Sequence, residues 1–442
     1  MSKIIPRAKQ EKIMDWMDRS EFIAIKGPRQ AGKTTLLKDI IKDKLINERG
    51  IDEKAVDVIN FENRNLVDNF EDEPLNFIKT RLSDQPGKNY ILIDEYQYVD
   101  DGGQKLKLIY DELHEDVKII ITGSNSLELT DESARYMVGR MFSLYLSPLT
   151  FKEFLFSKND NVVRNFDMKN EKIKNFFFEE DSVEIEQKQD TYPKIENFFE
   201  EYAVFGAYPA VVTAQKEETK QDILQQIVNT YIEKDIIRLL KQGEVKKFRK
   251  LLKLVSVQTG NLLNYEQITS NLDIHFKKVK KLLSLMEETF LIKRIKPLHE
   301  NMTTELKKQP KVYFLDMGLR NFLTSNFNDL DLRTDKGEIV KSMILSDIYY
   351  NQKDKADIFY WRTKAGAEVD FIIRKGSDLY PIEVKYKKMK NLNITKSVLS
   401  FIKNYDPERF LILTRGSWGQ REVEGTKVLF APIWYFDANI NL

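Results

Sequence analysis

The chain has 442 residues, 42% of them hydrophobic and 31% charged. That length suits about three domains of roughly 150 residues each, and the apolar content is too high for wholesale disorder. Seventy Lys and Arg against 69 Asp and Glu give a net charge of +1, so any nucleic-acid contact must come from local clusters. With no cysteine there are no disulfides, thiolate zinc sites or Cys nucleophile, and the three histidines, His114, His275 and His299, are too scattered for a His-built metal centre. Any metal is therefore expected to be Mg²⁺ or Mn²⁺, held by carboxylates, hydroxyls and phosphates. The first ten residues lack a signal-peptide apolar core and no run approaches the ~20 apolar residues of a membrane span, so a cytoplasmic setting without membrane contact is expected.

From residue 1 to about 150, apolar runs alternate with amphipathic helical stretches, the pattern of a parallel α/β sheet. The runs are Phe22–Ile25, Val56–Phe61, Tyr90–Ile93, Val117–Thr122 and Phe142–Leu146. The first ends in Gly27-Pro28-Arg29-Gln30-Ala31-Gly32-Lys33-Thr34-Thr35, a full match to G-x-x-x-x-G-K-[ST] between a strand and a helix. The two glycines let the backbone curl so that successive N–H groups face phosphate oxygens, and the following helix presents its positive end there. Lys33 supplies a charge for the β- and γ-phosphates, and Thr34 is placed to ligate Mg²⁺. The expected cofactors are ATP and Mg²⁺.

The third run closes on Asp94-Glu95, a buried strand carrying carboxylates at its end. Asp94 is expected to hold Mg²⁺ directly or through water, and Glu95 to polarise the attacking water as general base. The fourth ends in small polar residues, of which Thr122, Ser124 or Asn125 reads either as a sensor of the γ-phosphate or as part of an N-cap cluster with Ser126. Arg140 precedes the fifth run; in ring-forming ATPases an arginine there reaches a neighbour's γ-phosphate, and a plain surface arginine is the alternative.

The stretches Ile25–Thr35, Ile93-Asp-Glu-Tyr-Gln, Thr122-Gly-Ser-Asn-Ser, Gly139-Arg and Leu146–Leu155 together resemble a large bacterial and archaeal family of AAA-type ATPases. Its members carry a C-terminal domain of unknown function with a restriction-endonuclease-like core. The resemblance runs nearly end to end and weakens over 157–198, an acidic, Phe-rich insertion. It implies an α/β multidomain chain: a P-loop AAA+-type parallel-sheet core over 1–150, a helical lid with the insertion over 151–245, a winged helix over 246–315 and an endonuclease-like α/β domain over 316–442. It also implies that Phe205-Gly-Ala-Tyr-Pro209-Ala is the lid turn over the nucleotide, where Gly206 frees the backbone and Pro209 presents a rigid edge to the base; the same residues would equally make a plain helix–helix turn.

Around Asn264–Met286 a short helix, a turn at Asn271–Asp273 and a second helix read as helix-turn-helix. Leu291–Pro297 and Lys311–Leu315 would be the strands of a wing. Lys277, Lys278, Lys280 and Lys281 crowd the start of the second helix, with Lys293, Arg294, Lys296, Lys307 and Lys308 near the wing. Such a cluster suits phosphate contacts on a duplex, and equally a solvated face on a protein-binding module.

In the last domain a helix starts at Gly337-Glu338, Phe359–Ile373 reads as a hairpin, and Leu379–Tyr386 as a further strand. Glu383 and Lys385 share a face because residues two apart in a strand do. With Asp370 thirteen positions earlier, this is similar to the D–x(n)–E-x-K centre of restriction-endonuclease-like nucleases. The similarity implies Asp370 and Glu383 on Mg²⁺, Glu338 nearby, and Lys385 orienting water or stabilising the developing charge.

The expected function is ATP hydrolysis coupled to binding or remodelling of DNA, including branched DNA such as Holliday junctions, by a homo-oligomer such as a hexameric ring. The alternatives are a nucleotide-switched regulatory or defence protein whose C-terminal domain binds a partner, and an ATP-regulated DNA nuclease.

Overall fold

The computed structural model describes residues 4–124, 136–178, 185, 187–190, 192–237, 240, 242–298, 309–352 and 356–438. Asn125, Ser126, His299, Lys307 and Lys308 lie outside them. The chain forms two compact units, one of residues 1–149 with Glu288–Phe290, the other of 150–287 with 291–442.

The first unit is built on five parallel strands: β1 Phe22–Lys26, β2 Val56–Asn60, β3 Asn89–Asp94, β4 Val117–Gly123 and β5 Met141–Tyr145. Each lies within one residue of its expected run. Their order is β2-β3-β4-β1-β5. Both faces are covered, which is why the strands read as unbroken apolar runs. Alternation divides them cleanly. Phe22, Ala24, Ile91, Ile93, Ile119 and Ile121 pack on one face with the helices Arg64–Asp72, Pro74–Lys79 and Gly102–Leu113. Ile23, Ile25, Leu92 and Ile120 pack on the other with Ile13, Leu36, Leu37, Ile40 and Leu45. Because β1 sits between β4 and β5, the C-terminal ends of β1, β4 and β3 stand side by side, and the P-loop, Asp94, Glu95 and Ser124 collect at that edge.

The second unit contains a nine-stranded mixed sheet, ordered β6-β13-β14-β12-β11-β10-β9-β7-β8. Its strands are β6 Lys188–Gln189, β7 Ile292–Pro297, β8 Lys311–Phe314, β9 Asp357–Arg362, β10 Glu368–Lys375, β11 Asp378–Lys385, β12 Arg409–Thr414, β13 Ser417–Val423 and β14 Thr426–Pro432. β9, β10 and β11 form an antiparallel meander, and β11, β12 and β14 run parallel. The helix Lys396–Tyr405 makes the β11-to-β12 crossover, burying Val398, Phe401 and Ile402 against Val369, Ile372, Ile412 and Phe430.

The helices Tyr265–Leu272 and Phe276–Glu288 flank a turn in which Asp273 takes a left-handed φ of 48°. They lead into the antiparallel pair β7 and β8. β7 also pairs in parallel with β9. The stretches expected to hold the lid, the winged helix and the C-terminal domain fall in one compact unit, apart from Glu288–Phe290, which belong to the first.

The segment over 157–198 is woven into this sheet. Its helix Asp160–Phe178 lends Asn170, whose Nδ2 donates to the Tyr435 carbonyl at 2.8 Å, and Phe176, whose carbonyl accepts from Arg409 Nη1 at 2.5 Å. Lys188 and Gln189 pair with Trp418 and Ser417 as the sheet's outer strand. Asp190 accepts from both Trp434 Nε1 and Tyr435 Oη at 2.9 Å. Three of its phenylalanines, Phe166, Phe176 and Phe177, are buried in the core.

Candidate active site

β1 ends in Lys26, and the chain turns at once into the P-loop. A Cβ on Gly27 would lie 2.1 Å from the Leu146 carbonyl oxygen, so only glycine fits beside the end of β5. Gln30 and Gly32 take φ of 59° and 94°, which curls the loop before the helix opens at Lys33. Buried Arg7 clamps the loop from below: Nη1 donates to the Ala31 carbonyl and Nη2 to that of Ser147, both at 2.7 Å. Lys33 is itself buried, its Nζ donating to the carbonyls of Gly27 and Pro28 at 2.9 and 2.8 Å. The ammonium is thus held under the curl that the motif predicts for phosphates.

Asp94, 1% exposed, takes a hydrogen bond on each carboxylate oxygen: Thr34 Oγ donates to Oδ2 at 2.7 Å and Thr122 Oγ to Oδ1 at 2.5 Å. Thr122 Oγ also accepts from the Glu95 backbone N–H at 3.1 Å. One hydroxyl therefore fixes both acids. Glu95 stands in the left-handed region, φ 59°, which turns its side chain off the strand line. Its carboxylate accepts from Gln97 Nε2 and lies 3.6 Å from Arg29 Nη1. The same Gln97 nitrogen donates to Ser124 Oγ at 3.2 Å, and its Oε1 accepts from the Ser124 N–H at 3.3 Å.

The structure thus brings together Gly27 to Thr34, Asp94, Glu95 and Ser124. Thr122, one of the sensor candidates, is the clamp on the acid pair. The residue that sequence reasoning passed over is Gln97, which ties Glu95 to Ser124. Its signal was the position two after Glu95, where a short turn brings the side chain back. These donors and acceptors fit a magnesium-bound triphosphate: a hydroxyl and a carboxylate for the ion, an ammonium and curled backbone for the phosphates.

Arg140 stands apart from this edge. Its carbonyl accepts from the N–H of Phe22, at the opposite end of β1 from the P-loop, and its Nε lies 3.1 Å from Asp111 Oδ1. Pro209 opens the short helix Pro209–Thr213 of the second unit. The preceding turn is packed within that unit: Asp316 Oδ2 accepts from the Ala207 N–H at 2.8 Å, and a Cβ on Gly206 would strike the Asp316 carboxylate.

The second centre lies where β10 meets β11. Asp370 and Glu383 face each other across the hairpin, 1% and 3% exposed. The Asp370 N–H donates to Glu383 Oε2 at 3.2 Å, and the Val384 N–H to Asp370 Oδ2 at 2.9 Å. Lys385 pairs with Glu383, and Lys341 from the helix Lys336–Gln352 pairs with Asp370 at 2.6 Å. Burial and then the neighbouring Asp370 push the Glu383 carboxyl upward, against the pull of Lys385 and Lys341. Glu338, one turn before Lys341, packs its side chain beside Gly260. Among the described residues no three acids or histidines are grouped to hold a metal. Asp370, Glu383 and Lys385 are brought together as expected, with a lysine at Asp370 that the sequence reading had not assigned.

Of the expected duplex-contacting lysines, Lys277, Lys280 and Lys281 are exposed on the helix Phe276–Glu288. Lys278 pairs with Glu244 at 2.5 Å.

Residues 19–155 match the AAA domain family. With the loop and acid geometry above, this makes the first unit an AAA-type P-loop ATPase domain. Residues 196–330 and 336–435 match two families described as domains of unknown function, DUF8612 and DUF4143. A relative from Haemophilus influenzae is 25% identical over 431 residues, 96% of each chain, and one from Methanocaldococcus jannaschii is 25% identical, covering 84% of this chain and 75% of its own; both are named only as uncharacterized proteins. Among solved structures, an Aeropyrum pernix ORC1 protein in complex with DNA is similar at TM-score 0.32 and 12% identity, covering 74% of this chain and 94% of that one. Domain III of the Thermotoga maritima replication initiation protein DnaA is similar at TM-score 0.28 and 15% identity, covering 55% and 91%. Among the described residues no helix is long and apolar enough to cross a membrane.

Proposed function

We propose that the chain is an ATP-hydrolysing AAA-type ATPase whose turnover is coupled to DNA. The observation that carries the reading is the shared clamp on Asp94 and Glu95: the Thr34 hydroxyl on one side, Thr122 on the other, and Glu95 presented beyond the strand end. Magnesium, when bound, would supply charge neutralisation between the phosphates. Thr34 and Asp94 would hold it. Lys33 would give its ammonium to the phosphates in place of the Gly27 and Pro28 carbonyls. Glu95 takes the proton of the attacking water at its carboxylate, and Gln97 and Arg29 set where that carboxylate points. Ser124, joined to Glu95 through Gln97, is in place to sense the γ-phosphate.

The DNA half rests on the helix pair and strands β7 and β8, which we read as a winged helix. Lys277, Lys280 and Lys281 on its second helix would meet duplex phosphates. We read the C-terminal unit as endonuclease-like in architecture, since a helix, a three-strand meander, a crossover helix and a parallel strand follow in that order. A cleavage role is not favoured, because Lys341 occupies Asp370. Assembly into a ring, with Arg140 reaching a neighbour's site, and action on branched DNA belong to the same proposal. Arg140 lies at the end of β5 away from its own P-loop, which suits a role in trans and no role in cis.

The test is an ATPase assay without DNA and with single-stranded, duplex and four-way DNA, at two salt concentrations because phosphate contacts are salt-sensitive. Turnover should rise with DNA. Glu95→Gln should keep ATP bound and lose on the order of 100-fold or more in turnover, the scale of a lost general base, and Lys33→Ala should lose ATP retention. Slow turnover indifferent to every DNA would instead favour a nucleotide-switched regulatory protein.

A further inference from the structure

The helix Gln242–Val257 precedes the helix pair and carries two stripes of opposite character. Phe248, Leu251, Leu252 and Val255 are buried, at the i, i+3, i+4, i+7 spacing of a core-facing stripe. Lys246, Arg249, Lys250 and Lys253 repeat that spacing on the outward side, and all four are exposed. Among the described residues none of these four cations has an ion-pair or hydrogen-bond partner.

An exposed helix face ordinarily mixes signs, because opposite charges three or four apart stabilise it and like charges at that spacing weaken it. Here Lys246 stands four before Lys250, and Arg249 four before Lys253. The strip therefore carries repulsion with no acid of its own to relieve it. The acid nearest in sequence, Glu244, is taken up by Lys278 at 2.5 Å. A line of anions laid along the helix would supply the missing countercharge.

A basic amphipathic helix can serve a membrane surface or the groove of a helix-binding protein, but both uses need its apolar face free. This helix has committed its apolar face to the core, so charge alone is on offer. It is also fixed at both ends. Lys247 Nζ donates to the Asp273 carbonyl at 2.7 Å, which with the Glu244–Lys278 pair joins its start to the turn before the helix Phe276–Glu288. At its end, Arg320 Nε donates to the Ser256 carbonyl at 3.0 Å. From Lys246 to Lys253 the strip runs ~10 Å, at ~1.5 Å per residue. Each strand of a duplex carries one phosphate per ~3.4 Å of axis, so the four cations lie along the length of about three phosphates.

We propose that the outer face of the helix Gln242–Val257 is a second DNA-contacting surface, which grips the phosphate backbone of a duplex without reading its bases. It adds to the contact that Lys277, Lys280 and Lys281 would make, and so rests on the DNA-directed part of the proposed function and not on its ATPase part.

The experiment is fluorescence anisotropy of a labelled duplex of mixed sequence with the full chain, without nucleotide, over a range of salt. Replacing Lys246, Arg249, Lys250 and Lys253 together by Gln should weaken binding on the order of tenfold or more. It should also lower the steepness of log affinity against log salt by about 3.5, since each duplex phosphate contact contributes ~0.9, and Lys250→Gln alone should lower it by about 0.9. A duplex of unrelated sequence should show the same losses. The melting temperature of the quadruple variant should hold or rise, because like-charge repulsion is relieved. As a control, Lys54, Lys79, Lys172 and Lys216, exposed elsewhere on the chain, are replaced by Gln to remove the same total charge, and the wild-type slope should remain. Replacing Lys277, Lys280 and Lys281 by Gln tests the helix pair separately. Wild type that binds the duplex, with an unchanged slope in the quadruple variant, would overturn this proposal alone. Wild type that fails to bind duplex at low salt would overturn it together with the DNA-directed reading. An equal fall in slope in the control, or displacement of the duplex by polyglutamate as readily as by unlabelled duplex, would also overturn it.

Discussion

At the scale of single residues, the site in the first unit depends on a few atoms with no substitute. Thr122 is the sharpest case, since its hydroxyl donates to Asp94 and accepts from the Glu95 backbone. Thr122→Val keeps the shape and removes both bonds, leaving a buried carboxylate oxygen short of a partner at a cost of about 1–3 kcal/mol. Steady-state kinetics should show kcat for ATP falling on the order of tenfold, the equivalent of ~1.4 kcal/mol, with KM little changed and Thr122→Ser restoring the rate. The sequence made Gly27, Lys33, Thr34, Asp94 and Glu95 legible because each occupies a fixed place in a motif whose spacing is dictated by a triphosphate. It left Thr122 among the sensor candidates without showing its bonds to Asp94 and the Glu95 N–H, since a strand residue's partner on the adjacent strand depends on register. Lys341 was invisible for the same reason: its meaning comes from Asp370, which lies 29 positions later and on a different element.

At the scale of elements, unbroken apolar runs located all five strands of the first sheet, because strands covered on both faces are apolar along their whole length. The turn at Gly206 shows what an element-level reading leaves out. Its glycine and proline suit a rigid lid edge, yet the contact that demands glycine is the carboxylate of Asp316. That aspartate caps the helix Met317–Thr324 by accepting from the Leu319 N–H at 3.0 Å, while also holding the Ala207 N–H. Burial raises its pKa from 3.8 to about 6, the backbone donors opposing. A carboxyl with a raised folded-state pKa favours the fold most below its unfolded value, and that benefit is lost as pH rises through the folded one. Relative to Asp316→Asn, which does not titrate, the wild type should therefore lose stability between pH 4 and pH 6. The gap between their urea-unfolding free energies should shift by on the order of 3 kcal/mol across that window, at ~1.4 kcal/mol per pKa unit. A flat difference would show that the charged form is fully compensated.

At the scale of the whole chain, the length suits about three domains, whereas the structure gathers the chain into two compact units. The acidic, Phe-rich segment over 157–198 reads as an insertion because the family resemblance weakens there. In the structure, Phe166 and Phe177 are core, and Asp190 satisfies Trp434 and Tyr435. Deleting residues 160–190 should thus not leave a trimmed, soluble protein. It would uncover the stacked Trp418 and Tyr435 rings and strip the outer strand from β13, and the product should be recovered as aggregate in size-exclusion chromatography. A monodisperse deletion product with unchanged melting behaviour would show the segment to be dispensable.

The pairing of β7 with β9 sets a limit on what the second unit can do. Lys296 and Pro297 are registered on Phe359 and Tyr360, and the Leu298 N–H continues the ladder to the Tyr360 carbonyl at 2.6 Å. The helix pair and the β9–β10–β11 meander are therefore branches of one slab, and swinging either against the other would mean tearing that seam. Whatever this unit held at both places would be kept at a set spacing, a gauge rather than a pair of jaws.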